Sequence, residues 1–417
     1  MTPKTRKNLE HQAIPKITTQ FHSLLDVGWY GSAYQLAKIW LTIFTALMGV
    51  LIAIGQLGIA FGPLIGGAFT QCFYVNLPIG AVVGALLVFI YIPERGTKPA
   101  LRTVLSTAIE SLDLVGFTIF APASIMFLLA LQYGGNEYAW NSATVIGLLC
   151  GAAATFVIFL SWEYRKGDDA MIPFSMISQK ILWSASVTMF FFLGALFCSN
   201  YYLPIYFQAV KNASPTMSGV DILPTILSQV LLAMVSGVMV QTLGYYLPWV
   251  LAGSALTTIA YGLLSLLTPS TPTAKWVGYQ ILFGLGCGSG VTISFIAVQN
   301  LVAPEKIPIA MGVLVFCQNF GGALWLEVAQ TVFTNSLTSS IKKHAAGVNP
   351  DAVVQAGARG IRSVVTSDQL PAVLKAYTDG VVNVMYLGIG LSAGAFCFAW
   401  GLGWKDIRKA KAAKPSE

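Results

Sequence analysis

The sequence has 417 residues, of which 10% are charged and 55% are hydrophobic. Soluble domains contain about 25% charged residues, because groups that water solvates must cover their surface. With 24 Lys and Arg and 17 Asp and Glu, this chain has too few charges for such a surface. The composition excludes a disordered chain, disfavours a soluble enzyme and predicts a protein that spans a membrane several times.

Long stretches without Asp, Glu, Lys or Arg mark the membrane-spanning segments. A helix needs about 20 apolar residues to cross the roughly 30 Å hydrocarbon layer. Residues 39–93 and 222–274 are each long enough for two crossings, and the second window has a turn-like break at Gly244–Pro248. Residues 307–333 supply another span although they include Glu327. Because the segments are continuously apolar and do not alternate, they predict an all-α protein with about ten transmembrane helices.

The positions of Lys and Arg predict which helix ends face the cytoplasm, because these residues accumulate in short cytoplasmic loops. With both termini inside, the short outer loops hold only Lys211 and Lys275. The net charge of +7 therefore reflects topology and does not indicate a nucleic-acid partner. For the basic tail after Trp404, a stop-transfer flank is favoured over contact with anionic lipid.

A regular glycine pattern stands in the first of the long windows. Glycines at every fourth residue lie on one helix face and let a neighbouring backbone come close, and a proline kinks the helix. Such a stripe is common in membrane helix packing. The full pattern also resembles the antiporter motif of the major facilitator superfamily, G-x8-G-x3-G-P-x2-G-G, through Gly49, Gly58, Gly62, Pro63, Gly66 and Gly67.

Other segments narrow this resemblance to the fungal drug:proton antiporters with fourteen helices. The resemblance covers nearly the whole chain from Ala13 onward. It implies alternating access between two helical bundles, with export of toxins, secondary metabolites or drugs in exchange for protons. The segments that carry it are Asp26–Tyr34, Cys72–Gly80, Gly134–Trp140, Tyr201–Val210 and Gly278–Gly288.

The resemblance also indicates that helices are missing from the N-terminal half. Ala13–Ile17 resembles the outer end of the family's first helix, but the helix itself is absent. Val27–Ala37 resembles the start of the second helix and runs directly into what resembles the fifth. Gaps of this size look like skipped exons or a mis-spliced gene. We therefore expect this chain alone to transport poorly or not at all.

The resulting organisation is an incomplete major-facilitator fold in five segments. The outer loop of the last bundle contains an amphipathic stretch, Asp351–Val365, which we expect to pack on the outer mouth. The segments are a cytoplasmic or interfacial stub at 1–38, two helices left from the N-terminal bundle at 39–93, a linker helix pair with cytoplasmic loops at 94–180, a six-helix bundle at 181–404 with an outer loop at 336–378, and a basic cytoplasmic tail at 405–417.

Charged groups inside membrane spans are costly and are therefore candidates for function. Glu327 is predicted to bind a proton or to face the substrate; a chance substitution or a helix-interior pair is the alternative. Uncharged polar and aromatic side chains could line a cavity for an amphiphilic substrate, with helix–helix hydrogen bonding as the alternative. These residues are Gln280, Gln299, Gln318, Asn319, Tyr201, Tyr202 and Tyr206.

Motifs for other chemistry are missing from the sequence. The six cysteines have no metal-binding spacing, and we expect them to pack as reduced thiols. No catalytic residue, metal or cofactor is predicted, so a multispanning membrane enzyme is the disfavoured alternative. Asn212-Ala-Ser214 is a glycosylation sequon in a predicted outer loop. The glycine run Gly284–Gly290 resembles a phosphate loop, but its place within a span predicts close helix packing.

These features predict a secondary active exporter of small organic molecules that exchanges them for protons. A non-transporting remnant of such an exporter is the alternative. The expected partners are the lipid bilayer, a small amphiphilic organic substrate and protons, without nucleic acid. The plasma membrane is predicted as the location, with the vacuolar membrane as the alternative.

Overall fold

A computed structural model of the chain describes residues 113–135, 138–167, 170, 174–303, 306–345 and 347–408. The predicted helix pair at 39–93 and its glycine motif lie outside the described residues. Within them the regular structure is helical, apart from the isolated bridges Gly134–Tyr138 and Tyr245–Asp406. The prediction of an all-α fold is confirmed.

The described α-helices are α1 Leu114–Tyr133, α2 Ala143–Lys166, α3 Phe174–Ile177, α4 Lys180–Ala209, α5 Pro215–Val220, α6 Leu223–Leu243, α7 Leu247–Leu264, α8 Thr273–Leu301, α9 Ile307–His344, α10 Pro350–Val364 and α11 Leu370–Ala399. Eight segments among them are long and apolar enough to cross a membrane. Seven are single helices, namely α1, α2, α4, α7, α8, α9 and α11, and the eighth consists of the short α5 together with α6.

The turn between α6 and α7 lies where the sequence predicted a break. Gly244 has a left-handed φ of 85°, which ends α6. Pro248 occupies the first turn of α7, where a backbone N–H has no helical acceptor. The charge-free window 222–274 therefore contains two separate spans, as predicted.

Helix α9 continues beyond the boundary at 336 that was predicted for the start of the outer loop. Its last turns are polar, but Phe333, Leu337 and Ile341 recur every four residues and are buried. Polar contacts fix the same segment to α11, where Asp379 accepts a hydrogen bond of 2.6 Å from the Ser340 hydroxyl. The sequence prediction ended the helix where hydropathy falls, whereas packing extends it to His344.

The predicted amphipathic stretch in the outer loop forms helix α10, and the Asn349 side chain caps its first turn by accepting from the Asp351 amide at 3.0 Å. Two contacts attach α10 to the bundle. The Tyr377 hydroxyl of α11 donates to the Val353 carbonyl at 3.3 Å. An Arg362 guanidinium nitrogen donates to the carbonyl of Ala209, the last residue of α4, at 3.2 Å. The helix therefore packs at the C-terminal end of α4 and near the N-terminal end of α11, and the position of these ends at the outer mouth stays a prediction.

Helices α4, α6, α7, α8, α9 and α11 share one apolar core, and α8 is enclosed by α4, α6 and α7. Its glycines make this possible, as the sequence predicted. A Cβ at Gly284 or Gly288 would meet backbone atoms of α6, and one at Gly286 would meet α7. A Cβ at Gly290 would meet the ring of Phe192 on α4. Helices α1 and α2 pack on each other, and α1 also contacts α9.

Candidate functional site

A cavity of about 460 Å³ lies between α1, α4 and α9. Its walls carry one carboxyl group, two amides, three tyrosines and two aliphatic side chains. This size and this mixture suit a small amphiphilic organic molecule, because apolar walls supply burial and a few polar groups fix orientation. The lining residues are Gln132, Tyr133, Tyr201, Tyr202, Ile205, Leu326, Glu327 and Gln330.

Helical spacing brings the wall residues together. Tyr201 and Ile205 are four residues apart on α4, and Glu327 and Gln330 are three apart on α9, so each pair shares a helix face. The third wall is the end of α1. There the Thr331 hydroxyl of α9 donates to the Leu131 carbonyl at 3.3 Å, which connects these two helices beside the cavity.

Glu327 lies near the middle of α9 and is half-buried. Its carboxyl group makes no hydrogen bond or ion pair with any residue that the structure describes. A carboxylate in a membrane interior without a partner is costly, and it gains stability when a proton or a cation neutralises it. Of the two sequence interpretations, the geometry favours a group that faces the cavity over a helix-interior pair.

A chain of hydrogen bonds leads from the cavity along α9 towards its C-terminal end. The Tyr202 hydroxyl donates to Gln330 Oε1 at 3.0 Å. The amide nitrogen of Gln330 in turn donates to the Thr334 hydroxyl at 3.3 Å. Tyr202 is buried and held in place, whereas Tyr201 is exposed and free to contact a ligand.

The structure places Gln280 and Tyr206 away from the cavity. Gln280 is fully buried between α6 and α8; it accepts from the Thr225 hydroxyl at 3.0 Å and donates to the Asp221 carbonyl at 2.9 Å. The Tyr206 hydroxyl donates to the Thr268 carbonyl at 2.7 Å. Gln280 therefore makes the helix–helix contact that was the alternative interpretation, whereas Tyr206 bonds to the loop between α7 and α8.

The remaining predicted residues also lie outside the cavity lining. Gln299 is on α8 and Gln318 on α9, both half-buried, and their role in a substrate path stays a prediction. Asn319 is exposed, and its amide donates to the Val315 carbonyl of its own helix at 2.9 Å.

Sequence reasoning missed five residues of the lining. The position of Gln330 in the lining could have been predicted, because this residue stands one helical turn after Glu327. Gln132 and Tyr133 end an apolar span and had no such signal, since only the contact of α1 with α9 brings them to the cavity. The other two are Ile205 and Leu326, which read as ordinary apolar residues.

A second polar cluster lies at the start of α1, where Asp113 caps the helix. Its carboxylate accepts from the Gly116 amide at 3.0 Å, from the Trp162 indole at 3.0 Å and from the Lys166 ammonium at 3.3 Å. Burial raises the pKa of the Asp113 carboxyl, but these hydrogen bonds and the Lys166 charge outweigh it and lower the pKa below its ordinary value. The cluster therefore holds α1 and α2 together at one end.

The sequon residue Asn212 is exposed in the loop between α4 and α5, with a positive φ of 58°. The Ser214 hydroxyl accepts from the Met217 amide at 3.1 Å and so caps α5. Glycosylation at Asn212 stays a prediction. The cysteines of the described part are all free, as predicted.

Known proteins resemble this chain along most of its length. Residues 44–326 match the Major Facilitator Superfamily. The MFS-type transporter pigP of Monascus ruber is 46% identical over 97% of this chain and 84% of that protein. The efflux pump mlcE of Penicillium citrinum is 41% identical over 95% and 86%. The MFS-type efflux pump MFS1 of Trichophyton rubrum is 35% identical over 96% and 88%.

The alignments are longer than the chain itself. The alignment with pigP runs over 478 positions and this chain has 417 residues, so it has no residue at 61 or more of the aligned positions. The alignment with mlcE has the same length of 478 positions. Relatives therefore contain internal residues that this chain lacks, in line with the expectation of missing helices. The predicted place of the gap, in the N-terminal half, lies outside the described residues.

Proposed function

Because this chain belongs to the Major Facilitator Superfamily, we propose that it exports small organic molecules across a membrane in exchange for protons. Relatives that are 35% to 41% identical carry the name efflux pump, which supports export over uptake. The amphiphilic lining of the cavity supports a small organic substrate, and we propose a secondary metabolite or toxin as its class.

The carboxyl group of Glu327, which has no hydrogen-bond or ion-pair partner in the described part of the chain, carries the proposal of proton coupling. A bundle that reorients with a bare charge inside the membrane would have to keep that charge in a low-dielectric medium, which is costly. The transporter would therefore reorient most readily when Glu327 has bound a proton or when a substrate covers the carboxylate. Binding of the proton would then favour release of the substrate, and binding of the substrate would favour release of the proton. This mutual exclusion couples the two movements in an antiporter.

The chain of hydrogen bonds from Tyr202 through Gln330 to Thr334 fits this proposal. It provides polar groups between the cavity and the end of α9 that leads to the predicted outer face. Export from the cell requires the plasma membrane, and we propose that location over the vacuolar membrane. A fluorescent fusion in a fungal cell would distinguish the two membranes.

A second candidate function is supported by the alignments. A chain without a residue at 61 or more aligned positions has lost enough length for two or more membrane helices, each of about 20 residues. We propose, as this second candidate, a remnant that keeps the fold of its C-terminal bundle but transports poorly or not at all. Sequencing of the transcript would tell a skipped exon from a genuine loss.

Vesicles that contain only this chain test both candidates. A pH gradient is imposed, and movement of a fluorescent amphiphile is recorded beside a chimera that receives the missing segment from pigP. Export by both proteins supports the exporter and contradicts the remnant. Export by the chimera alone supports the remnant. If a folded chimera exports nothing, the proposed function is wrong.

Glu327→Gln tests proton coupling in whichever of the two proteins exports. The variant keeps the shape of the side chain but cannot bind and release a proton, so gradient-driven export should fall at least tenfold. Glu327→Asp, which keeps a titratable group, should retain part of the activity. Equal export by Glu327→Gln and the unchanged protein would place proton coupling elsewhere.

A further inference from the structure

The chain that follows α11 folds back onto the turn between α6 and α7. After a 3-10 turn at Trp400–Leu402, Gly403 has a φ of 76°, which reverses the chain. The Ile407 amide then donates to the Gly244 carbonyl at 2.9 Å. From the α6–α7 turn, the Tyr246 hydroxyl contacts the carbonyls of Leu402 and Gly403 at 2.7 Å each. We call residues 400–408 the C-terminal clasp.

The clasp is a fixed part of the fold. Leu402 and Ile407 are buried in the apolar core of the bundle. A guanidinium nitrogen of Arg408 donates to the Thr242 carbonyl at 3.0 Å, and Arg408 also pairs with Asp406 at 3.2 Å. Gly244 leaves room for this contact, because a Cβ there would meet the Asp406 carboxylate. The residues of the clasp therefore present their remaining side chains in a defined arrangement.

Those side chains include large aromatic rings that the bundle does not cover. Trp400 is 56% exposed and Trp404 is 63% exposed. The ring of Trp404 lies against that of Tyr245, with centroids 5.7 Å apart. Trp and Tyr concentrate at membrane–water interfaces, where one part of the ring is apolar and the other is polar. These rings stand directly after the ends of α6 and α11, which places them at that level.

The net charge of the clasp is positive, with Lys405 and Arg408 against Asp406. Lys405 is exposed, and its ammonium makes no hydrogen bond or ion pair with another residue of the described chain. The one acid of the clasp, Asp406, already pairs with Arg408. The sequence continues with Lys409, Lys411 and Lys414. The Lys and Arg distribution predicts that this end faces the cytoplasm, where the membrane surface is negatively charged.

We propose that the C-terminal clasp binds the headgroups of anionic phospholipids in the cytoplasmic leaflet. Lys405 and the outer edge of Arg408 face the phosphates, while Trp400, Trp404 and Tyr245 lie among the glycerol and upper acyl groups. Because the clasp joins the end of α11 to the α6–α7 turn, a bound lipid also stabilises the bundle. The site is separate from the Glu327 cavity and does not depend on the transport proposal.

Thermal unfolding of the full chain in a neutral detergent tests the lipid class. Added phosphatidylserine should raise the unfolding midpoint by several degrees more than the same amount of phosphatidylcholine. Sodium chloride at 0.5 M should remove most of that difference, because charges are then screened within about 4 Å. An equal response to both lipids, or a difference that survives the salt, would overturn the proposal. So would an equal rise with inorganic phosphate, which would indicate a site for a free anion.

Surface variants locate the site. Lys405→Gln and Trp404→Ala should each remove about half of the response that is specific to phosphatidylserine, and Lys405→Arg should restore it. The matched control is Lys275→Gln, an exposed lysine at the opposite end of the bundle in the first turn of α8. If Lys275→Gln reduces the response as much as Lys405→Gln does, the lipids act on overall charge and the clasp is not the site. The comparison of lipids on the unchanged chain decides the lipid class even where a variant does not fold.

Discussion

Helices α8 and α9 follow each other in the chain and both carry polar side chains within the membrane, but their surroundings differ. Within the most apolar 18-residue stretch of each helix, 78% of the α8 stretch is buried inside the protein, against 28% of the α9 stretch. In α8 the neighbours come so close that Gln280 finds a partner for both ends of its amide. In α9 one side packs on α4 and α11, and the other side opens to a cavity where the Glu327 carboxyl group has no hydrogen-bond or ion-pair partner among the residues that the structure describes.

The difference shows what distinguishes a structural polar group from a functional candidate inside a membrane. Both groups are costly to bury, so the amide needs hydrogen-bond partners and the carboxylate needs a partner or a proton. Close packing supplies fixed protein partners in α8, and a group with fixed partners contributes to stability. On the open side of α9, the Glu327 carboxyl group has no such partner among the described residues, and in the proposed mechanism a proton or a substrate takes that place.

The largest effect is expected when a side chain is forced into the packed side of α8. A Cβ at Gly288 would lie 2.9 Å from the Ala233 amide nitrogen and still closer to the Gln229 carbonyl, and backbone atoms cannot move aside. We expect Gly288→Leu to lower stability by about 3 kcal/mol or more. Gly312→Leu on α9 is the matched control, because no atom of the described residues lies within 4 Å of a Cβ there. Similar unfolding midpoints for the two variants would contradict the comparison.

A smaller loss is expected when the buried amide of α8 is removed. Gln280→Leu leaves the Thr225 hydroxyl and the Asp221 carbonyl without this partner, which should cost about 1–3 kcal/mol. Asn319→Leu on α9 should change the unfolding midpoint little, because Asn319 is exposed and bonds only within its own helix in the described structure. An equal loss in both variants would show that α9 is packed as closely as α8.

A carboxylate with partners should behave unlike Glu327 in its dependence on pH. Because the pKa of Asp113 is lowered in the folded chain, its contribution is present above the unfolded pKa of about 3.9 and is lost as pH falls through the folded value. We expect Asp113→Asn to cost about 1 kcal/mol at pH 7, because Asn can still cap the helix but loses the charge that strengthens the bonds from Lys166 and Trp162. The difference from the unchanged chain should shrink below about pH 4.

Unfolding midpoints between pH 3 and pH 7 would measure this effect. The titratable groups beside Asp113 are Lys166 and the buried Glu163, and both remain in the variant. Because both interact with Asp113, the substitution changes their titration too, and the comparison measures the response of the whole cluster. A constant difference across the whole range would mean that the cap acts through shape and not through charge.

The smallest effect on stability is expected for Glu327. With no partner among the described residues, its carboxyl group contributes no bond that Glu327→Gln could break. The unfolding midpoint at pH 7 should stay the same or rise slightly, although gradient-driven export should fall at least tenfold. A fall as large as that of Gln280→Leu would reveal a partner and weaken the proposal that Glu327 serves the proton.

The fold of the described part could be predicted because the membrane imposes a simple rule on its sequence. Charge-free windows predicted the helices, and Gly244 with Pro248 predicted the turn that divides one window into α6 and α7. The end of α9 could not be predicted from hydropathy. Its polar last turns are helical because Leu337 and Ile341 pack into the core, and that contact depends on helices distant in sequence.

The candidate site could be predicted only in part, for a related reason. Glu327 stands out because a charge in a span is rare, whereas Gln280 and Gln330 look alike in the sequence. One is enclosed by α6 and α8 and the other lines the cavity. Tyr202 and Tyr206 are one helical turn apart on α4, but only Tyr202 lines the cavity. Small differences in rotation about a helix decide which neighbour each ring contacts.

The length of helix α9 determines how far a movement at Glu327 is transmitted. Its 38 residues span about 57 Å, nearly twice the roughly 30 Å of hydrocarbon that it crosses. A rod of this length amplifies a small rotation: a tilt of about ten degrees around Glu327 would move His344 by several ångströms. Events at the carboxyl group would thus be magnified at the far end of α9, beside α10, where a probe on the surface could register them.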